Sequence, residues 1–313
     1  MQKITYLVTG GAGFIGSNIT HRLISEGYGV RVLDNLATGR ESNLSGLADK
    51  IDFIKGDIRD LAACKKAVDG VDSVLHLAAL PSVPRSVQDP VTSNDVNVNG
   101  TLNMLVAARD AKVRRFVFSS SSSVYGDTPG LPRREDMMPS PLSPYALQKL
   151  TGEYYCKVFH GLYGLGTVAL RYFNVFGPNQ DPKSQYAAVI PKFIEAIKGK
   201  VAPAIYGDGG QTRDFTFVAD VVKANLLASR CQDSAVGRVY NVARGDRVSL
   251  NQMFDMLKEI MKSSVVPEYQ PPRAGDVRDS QADSSLARKN LGWLPDVEFR
   301  QGLEKTVSYF LNN

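Results

Sequence analysis

The stretch Gly10-Gly11-Ala12-Gly13-Phe14-Ile15-Gly16 follows the β-branched apolar run 4–9 and leads into a helical pattern over 14–26. A glycine turn between a strand and a helix commits the start of the chain to a βα unit, and it leaves the first N–H groups of the helix free to meet an anion. Side chains would block that approach, so a dinucleotide's pyrophosphate would require glycine at Gly10, Gly13 and Gly16. The spacing is GxxGxxG, and by itself it also suits an ordinary tight turn.

The same alternation runs on to about residue 175. Strand patterns occupy 4–9, 30–34, 52–55, 73–77, 115–119 and 166–172, and helical patterns lie at 14–26, 61–68, 91–110 and 144–163. Six strands alternating with helices predict an α/β fold built on a doubly wound parallel sheet. Beyond Asn174 the pattern is irregular, with a helix ending at Lys198, short strands near Ala204 and Asp214, and helices near Val218, Leu250 and Leu303. We read 1–175 as the dinucleotide-binding domain and 176–313 as a smaller α/β substrate-binding lobe interleaved with it. A chain of 313 residues has room for both cores.

Composition narrows the function classes. With 43% hydrophobic and 22% charged residues the chain is not a disordered one. A net charge of +5 without a basic run or interleaved aromatics predicts no nucleic-acid partner. Cys64, Cys156 and Cys231 lie far apart with no CxxC pair, and His21, His76 and His160 include no i,i+4 pair, so we expect no disulfide framework and no metal site. The histidines read as structural. The first apolar run is too short for a signal peptide and no stretch is long enough to span a bilayer, so the expectation is a soluble, cytoplasmic protein without a membrane partner.

The expected cofactor site extends from the glycine loop. Asp34 closes the second strand 18 residues after Gly16, where a carboxylate binds the adenosine ribose hydroxyls and repels a 2′-phosphate, favouring NAD over NADP. Asp57 and Ile58 end the third strand, and Ala78 and Ala79 follow the fourth, at the edge where adenine and the nicotinamide ribose would lie. Asn35, beside Asp34, and Asn97, in the 91–110 pattern, complete the cofactor set.

Tyr145 and Lys149 stand four residues apart on one predicted helix and so share a face. A positive charge about 4 Å from a phenol, at an effective dielectric of about 20, is worth roughly 4 kcal/mol or about three pKa units, enough for Tyr145 to act as a base near neutrality. A lone YxxxK is also an ordinary helix pair. Here it follows a strand ending in five serines, Ser119 to Ser123, whose hydroxyls can bridge Tyr145 and a substrate oxygen.

Together GGAGFIG, the serine run into Val124-Tyr125-Gly126, YxxxK and Arg171-Tyr172-Phe173-Asn174 resemble the extended short-chain dehydrogenase/reductase family over nearly the whole chain. Within it the chain is most similar to the UDP-hexose 4-epimerases, above all those of UDP-N-acetylglucosamine and UDP-N-acetylgalactosamine. The resemblance implies a Rossmann domain, a tightly held NAD, and catalytic roles for Ser121, Tyr145 and Lys149, the last also contacting the nicotinamide ribose. It further implies that Arg213 and Arg273 hold the substrate diphosphate, Asn174 touches it, Asp276 meets the nucleotide ribose, and Val189 and Ile190 flank the uracil.

Departures from sister enzymes sharpen this. The 4,6-dehydratases carry an Asp-Glu pair where this chain has Ser122 and Ser123, and nucleotide-sugar decarboxylases usually carry a Glu at Ser123, so elimination and decarboxylation lack their acid and base. Seven positions after Arg273 the family has a gate residue, commonly tyrosine in strict UDP-glucose/galactose epimerases; here it is Ser280, which leaves room for an N-acetyl group. Ser82, Ser122 and Ser123 could offer hydroxyls to the sugar. UDP-uronate 4-epimerases share a similar serine-rich segment and stay open as a reading, as do a non-catalytic NAD-binding scaffold and a reductase that releases its cofactor. The family implies a homodimer through the helices at 91–110 and 144–163.

Overall fold

The computed structural model describes residues 4–182, 188–272 and 278–312. In chain order it runs β1 (Thr5–Thr9), α1 (Phe14–Ser25), β2 (Gly29–Asp34), β3 (Asp52–Lys55), α2 (Leu61–Val68), β4 (Ser73–His76), α3 (Val83–Gln88), α4 (Pro90–Asn94), α5 (Gly100–Asp110), β5 (Arg115–Ser121), α6 (Pro144–Tyr163) and β6 (Gly166–Tyr172). The remainder is β7 (Val175–Phe176), α7 (Val189–Lys198), β8 (Ala204–Tyr206), β9 (Thr212–Arg213), β10 (Thr216–Phe217), α8 (Val218–Arg230), β11 (Arg238–Val242), β12 (Val248–Ser249), α9 (Leu250–Met261), β13 (Glu268–Gln270), α10 (Ser285–Leu291) and α11 (Phe299–Asn312).

Seven strands form one parallel sheet in the order β3-β2-β1-β4-β5-β6-β11. Its central strands are apolar on both faces because helices cover both. Alternation then sorts the side chains: Tyr6, Val8 and Val117 pack with α1 and α8, while Leu7, Phe116 and Phe118 pack with α2, α5 and α6. The smaller lobe has its own core, in which Phe176, Phe215, Phe217 and Phe299 meet ring to ring.

The structure corrects two sequence expectations. The sheet has a seventh strand, β11, which pairs with β6 from Arg238 opposite Val168 to Val242 opposite Tyr172. A division at residue 175 therefore cuts the sheet, since β11 and α8 lie beyond it; periodicity marks a strand but not the sheet it joins. Over residues 91–110 the backbone is helical throughout, with a π turn at Asp95–Asn99 joining α4 to α5. β5 continues to Ser121, because Ser119, Ser120 and Ser121 stay in register with Leu170, Arg171 and Tyr172.

The distance between α6 and the sheet is set by Gly152. A Cβ there would lie 2.3 Å from Cζ of Phe118 on β5. In an open helix Gly152→Ala would gain up to about 1 kcal/mol of helix propensity. Overpacking against a fixed aromatic ring costs about 1–3 kcal/mol, so the substitution is expected to destabilise by roughly 1–2 kcal/mol net. Denaturant unfolding at equal cofactor content checks this; an unchanged or higher midpoint would show that Phe118 gives way freely.

Candidate active site

Ligands of doubly wound sheets sit where the strand order reverses. That point lies between β1 and β4, and the glycine loop after β1 faces the start of the chain after β4 there. Gly10 has φ +67°, and a Cβ on it would lie 2.9 Å from the backbone N of Ala78. A Cβ at Gly16 would fall 2.1 Å from the Gly10 carbonyl oxygen, so the first turn of α1 can close on the loop only with glycine. Buried Asp34 braces the loop: Oδ2 accepts from the Ala12 N–H at 2.9 Å and Oδ1 from the Leu36 N–H at 2.8 Å. Asn35 donates to Asp57 at 2.9 Å, and hydrogen bonding to Arg59 is the main reason the Asp57 carboxyl is held down at about 2.

Phe14 and Ile15, the first residues of α1, pack against the smaller lobe. Ile58 is buried against Gly100, while Ala78 and Ala79 stay half-buried at the mouth. The Asn97 amide ties the chain after β4 to α6: Oδ1 accepts from Leu80 N–H at 2.8 Å and Nδ2 donates to Gln148 Oε1 at 2.8 Å. His76, between Thr9 at 2.7 Å and Thr101 at 3.0 Å, is pushed down to about 3 by burial and then by the Lys149 charge. It is neutral at neutral pH. The narrow glycine cradle, with a carboxylate behind it, fits NAD.

The residues expected to be catalytic converge where β5 ends and α6 begins. Pro144 starts α6 after the Ser143 cap, and Tyr145 N–H donates to Oγ of buried Ser86 at 3.0 Å, tying the new helix to α3. Lys149 is buried one turn on, and its Nζ donates to the Ser119 carbonyl at 2.7 Å. This arrangement corrects the electrostatic expectation. The ammonium is 5.8 Å from the Tyr145 ring centroid and is engaged elsewhere, so burial dominates and pushes the phenol up to about 12, with hydrogen bonding to Ser121 opposing. Burial also pushes Lys149 down to about 8, against the pull of Glu153.

Ser121 and Ser122 are half-buried at the end of β5, and Ser121 Oγ accepts from the Ser123 N–H at 3.2 Å. Ser123 Oγ is buried with no hydrogen-bond partner among the described residues. The sequence reading passed over the pair that holds this corner. Arg171 donates to both carboxylate oxygens of Glu153 at 2.9 and 2.7 Å, Ser120 Oγ donates to Glu153 at 2.5 Å, and the guanidinium lies 4.6 Å over the Tyr125 ring. A signal existed for Glu153, four residues beyond Lys149 on the same helix face. Ser86, distant in sequence, had none.

A cavity of about 600 Å³ opens in the smaller lobe and brings together Asn174, Val189, Ile190 and Arg213, four residues expected at the substrate. Arg213 Nη1 donates to the Thr212 and Arg278 carbonyls at 2.9 and 3.1 Å, which aligns its guanidinium. Ser82 is buried as the cap of α3 and accepts from Arg85 N–H at 3.1 Å, so its hydroxyl oxygen already has a backbone donor. Ser280 is half-buried, and its N–H donates to Thr212 O at 3.1 Å, beside Arg213. Arg273 and Asp276 lie outside the described residues. Among the described residues no group of three His, Cys, Asp or Glu side chains could hold a metal, and no helix is long and apolar enough to cross a membrane.

Known proteins match along the whole chain. UDP-glucose 4-epimerase of Mycolicibacterium smegmatis is 42% identical over 315 residues, covering 98% of both chains. The structure of a UDP-N-acetylglucosamine 4-epimerase from Methanobrevibacter ruminantium, in complex with UDP-N-acetylmuramic acid, superposes with a TM-score of 0.95 at 42% identity, over 100% of this chain and 99% of that one. A Thermotoga maritima UDP-glucose 4-epimerase with UDP-glucose gives 0.94 at 40% identity, over 99% of both. Residues 6–243 match the model of one family, and the sheet, the glycine cradle and the Ser121–Tyr145–Lys149 corner accord with it: the chain belongs to the NAD dependent epimerase/dehydratase family.

Proposed function

We propose that this protein is a UDP-sugar 4-epimerase that works through a transient 4-keto sugar. The observation that carries the reading is the convergence of Ser121, Tyr145 and Lys149 at the end of β5, in the sheet whose first strand leads into the glycine cradle, together with a cavity lined by Asn174 and Arg213. Gly10, Gly13, Gly16 and Asp34 would hold NAD, with Lys149 at its nicotinamide end. NAD supplies the acceptor and later the donor of one hydride, and a positively charged ring. Tyr145, hydrogen-bonded to Ser121, takes the proton of the sugar's 4-hydroxyl and returns it to the epimeric oxygen. In its protein surroundings alone the phenol is protonated, so it would act as a base only as the phenolate, which hydrogen bonding from Ser121, the Lys149 charge and the positive ring of bound NAD would together favour. Arg213 and Asn174 anchor the diphosphate, with Arg273 and Asp276 proposed beside them, and the keto sugar turns about that anchor. No acid–base pair occupies positions 122 and 123, which favours epimerisation over dehydration.

Ser280 favours a UDP-N-acetylhexosamine, with weaker activity on UDP-glucose. Ser122 and Ser123 are proposed to face the sugar. Product NMR after incubation with UDP-glucose, UDP-N-acetylglucosamine and UDP-glucuronate tests the reaction and the sugar together: 4-epimers are expected without net change in NAD. Net reduction of added NAD, or net oxidation of added NADH, would instead identify an oxidoreductase that releases its cofactor, absence of any conversion a scaffold, and turnover of the glucuronate alone the uronate reading.

A homodimer is part of the proposal. Leu147, Tyr154, Val158 and Leu162 form an exposed apolar stripe on α6, beside exposed Val91 on α4. The cysteines are unpaired, which suits a reducing cytoplasm.

Tyr145→Phe should lower kcat by about 10² to 10⁴ while NAD still copurifies, since the base is lost and the helix face kept. Retention of more than about a tenth of kcat would sink the base assignment. Ser280→Tyr should suppress turnover of the N-acetylated substrate by steric exclusion and largely spare UDP-glucose; an equal fall in kcat/KM for both would end the gate argument. Light scattering should give a dimer, and Val158→Lys with Leu162→Glu should give a folded monomer; a wild-type monomer would contradict the interface.

A further inference from the structure

Asp214 lies between β9 and β10, next in sequence to Arg213 but buried where Arg213 lines the cavity. Its carboxylate accepts from the backbone N–H groups of two other chain segments. Gly245, in the chain after β11, donates to Oδ2 and Oδ1 at 3.1 and 3.3 Å, and Ala282, two residues past Ser280, donates to Oδ2 at 3.0 Å. The seam is reinforced around it. Gln281 Nε2 donates to Gly245 O at 2.7 Å, Thr212 Oγ1 donates to Asp279 at 2.6 Å, and Ser280 N–H donates to Thr212 O at 3.1 Å. One carboxylate thus joins the strand that carries the diphosphate arginine to the wall that carries the sugar gate.

We propose that Asp214 is a positioning residue whose buried carboxyl group sets the spacing between Arg213 and the Ser280 wall, and so the affinity for the sugar nucleotide. The proposal rests on the UDP-sugar reading of this cavity. The donors to Asp214 are backbone N–H groups, that of Arg244 among them, rather than a cation. The Arg244 side chain is turned to Asp246 and Glu298, and Arg247 to Asp279. Asp246 repels the carboxylate. Burial therefore dominates and lifts Asp214 to about 7, with the N–H donors opposing.

An acid lifted to about 7 is ionised above that pH and takes up a proton below it. The lift means that the closed seam holds the protonated group more readily than water does, so ionising it in place costs the seam stability. The seam is tightest below neutrality and loosens as the pH rises through about 7. Affinity for a UDP-sugar, whose diphosphate diester stays ionised throughout, should fall over the same rise.

The test is KM and kcat for UDP-N-acetylglucosamine and UDP-glucose from pH 6 to pH 8.5, for the wild-type holoenzyme and for Asp214→Asn. Asparagine keeps the shape but sets an NH₂ against an N–H. In the variant KM should rise at least about tenfold at pH 6, more than kcat falls, and should lose its dependence on pH. Variant and wild-type KM following the same pH course would overturn the proposal, as would a lowered Tm with unchanged KM. If Asp214→Asn does not fold, amide hydrogen exchange of Gly245 and Ala282 in the wild type decides: protection should drop above pH 7 relative to the intrinsic rate, and flat protection would overturn the idea. The exchange readout needs no turnover, so a wild type that converts no UDP-sugar would end the epimerase reading while Asp214 is still tested.

Discussion

Two opposite charges, Glu153 on α6 and Arg171 on β6, meet with side chains 3% and 4% exposed, and the catalytic corner is built around them. Removing one partner of such a pair costs about 3–5 kcal/mol, because it strands a charge where water cannot reach it. The pair fixes more than itself. Glu153 takes the hydrogen of Ser120, one residue before Ser121, and its field supports the charge of Lys149 one turn earlier. Arg171 lies against Tyr125, whose hydroxyl donates to Asn241 on β11 at 2.8 Å. Strand, helix and sheet edge are thus locked in one arrangement by polar groups that have no cheaper alternative partner.

The two lobes share their supports. Phe14 and Ile15 open the helix below the glycine loop and also touch the aromatic core of the smaller lobe, while α8 and β11, late in the chain, complete the large sheet. A substrate held in the smaller lobe is therefore referenced to the same helix that would receive a cofactor's pyrophosphate. This suits a reaction in which a sugar must turn over against a fixed hydride carrier, since positional error at either end reaches the reacting carbon.

Electrostatics in the site are set by burial more than by contact. Tyr145 is held neutral, Lys149 keeps its charge only near and below pH 8, and Asp57 stays ionised in the grip of Arg59. A phenol poised in this way is tunable by hydrogen bonding from Ser121 and by the charge of a bound ring, which ties proton transfer to the loaded state of the enzyme.

Much of this was legible in one dimension. Glycine at positions 10 and 16 is dictated by close backbone approach, and YxxxK and the serine run are local patterns, so the glycine loop and the parallel sheet could be read from the sequence itself and the catalytic set could be proposed from it. The rest depended on partners far apart in the chain. Nothing near Arg238–Val242 says that it lies beside β6, nothing near Asn97 says that its amide is spent on Leu80 and Gln148, and the Tyr145–Lys149 spacing does not reveal that the ammonium turns to Ser119. Sequence sets which groups exist and how short segments fold, through sterics and periodicity; their distances and their solvent are decided only when the segments pack.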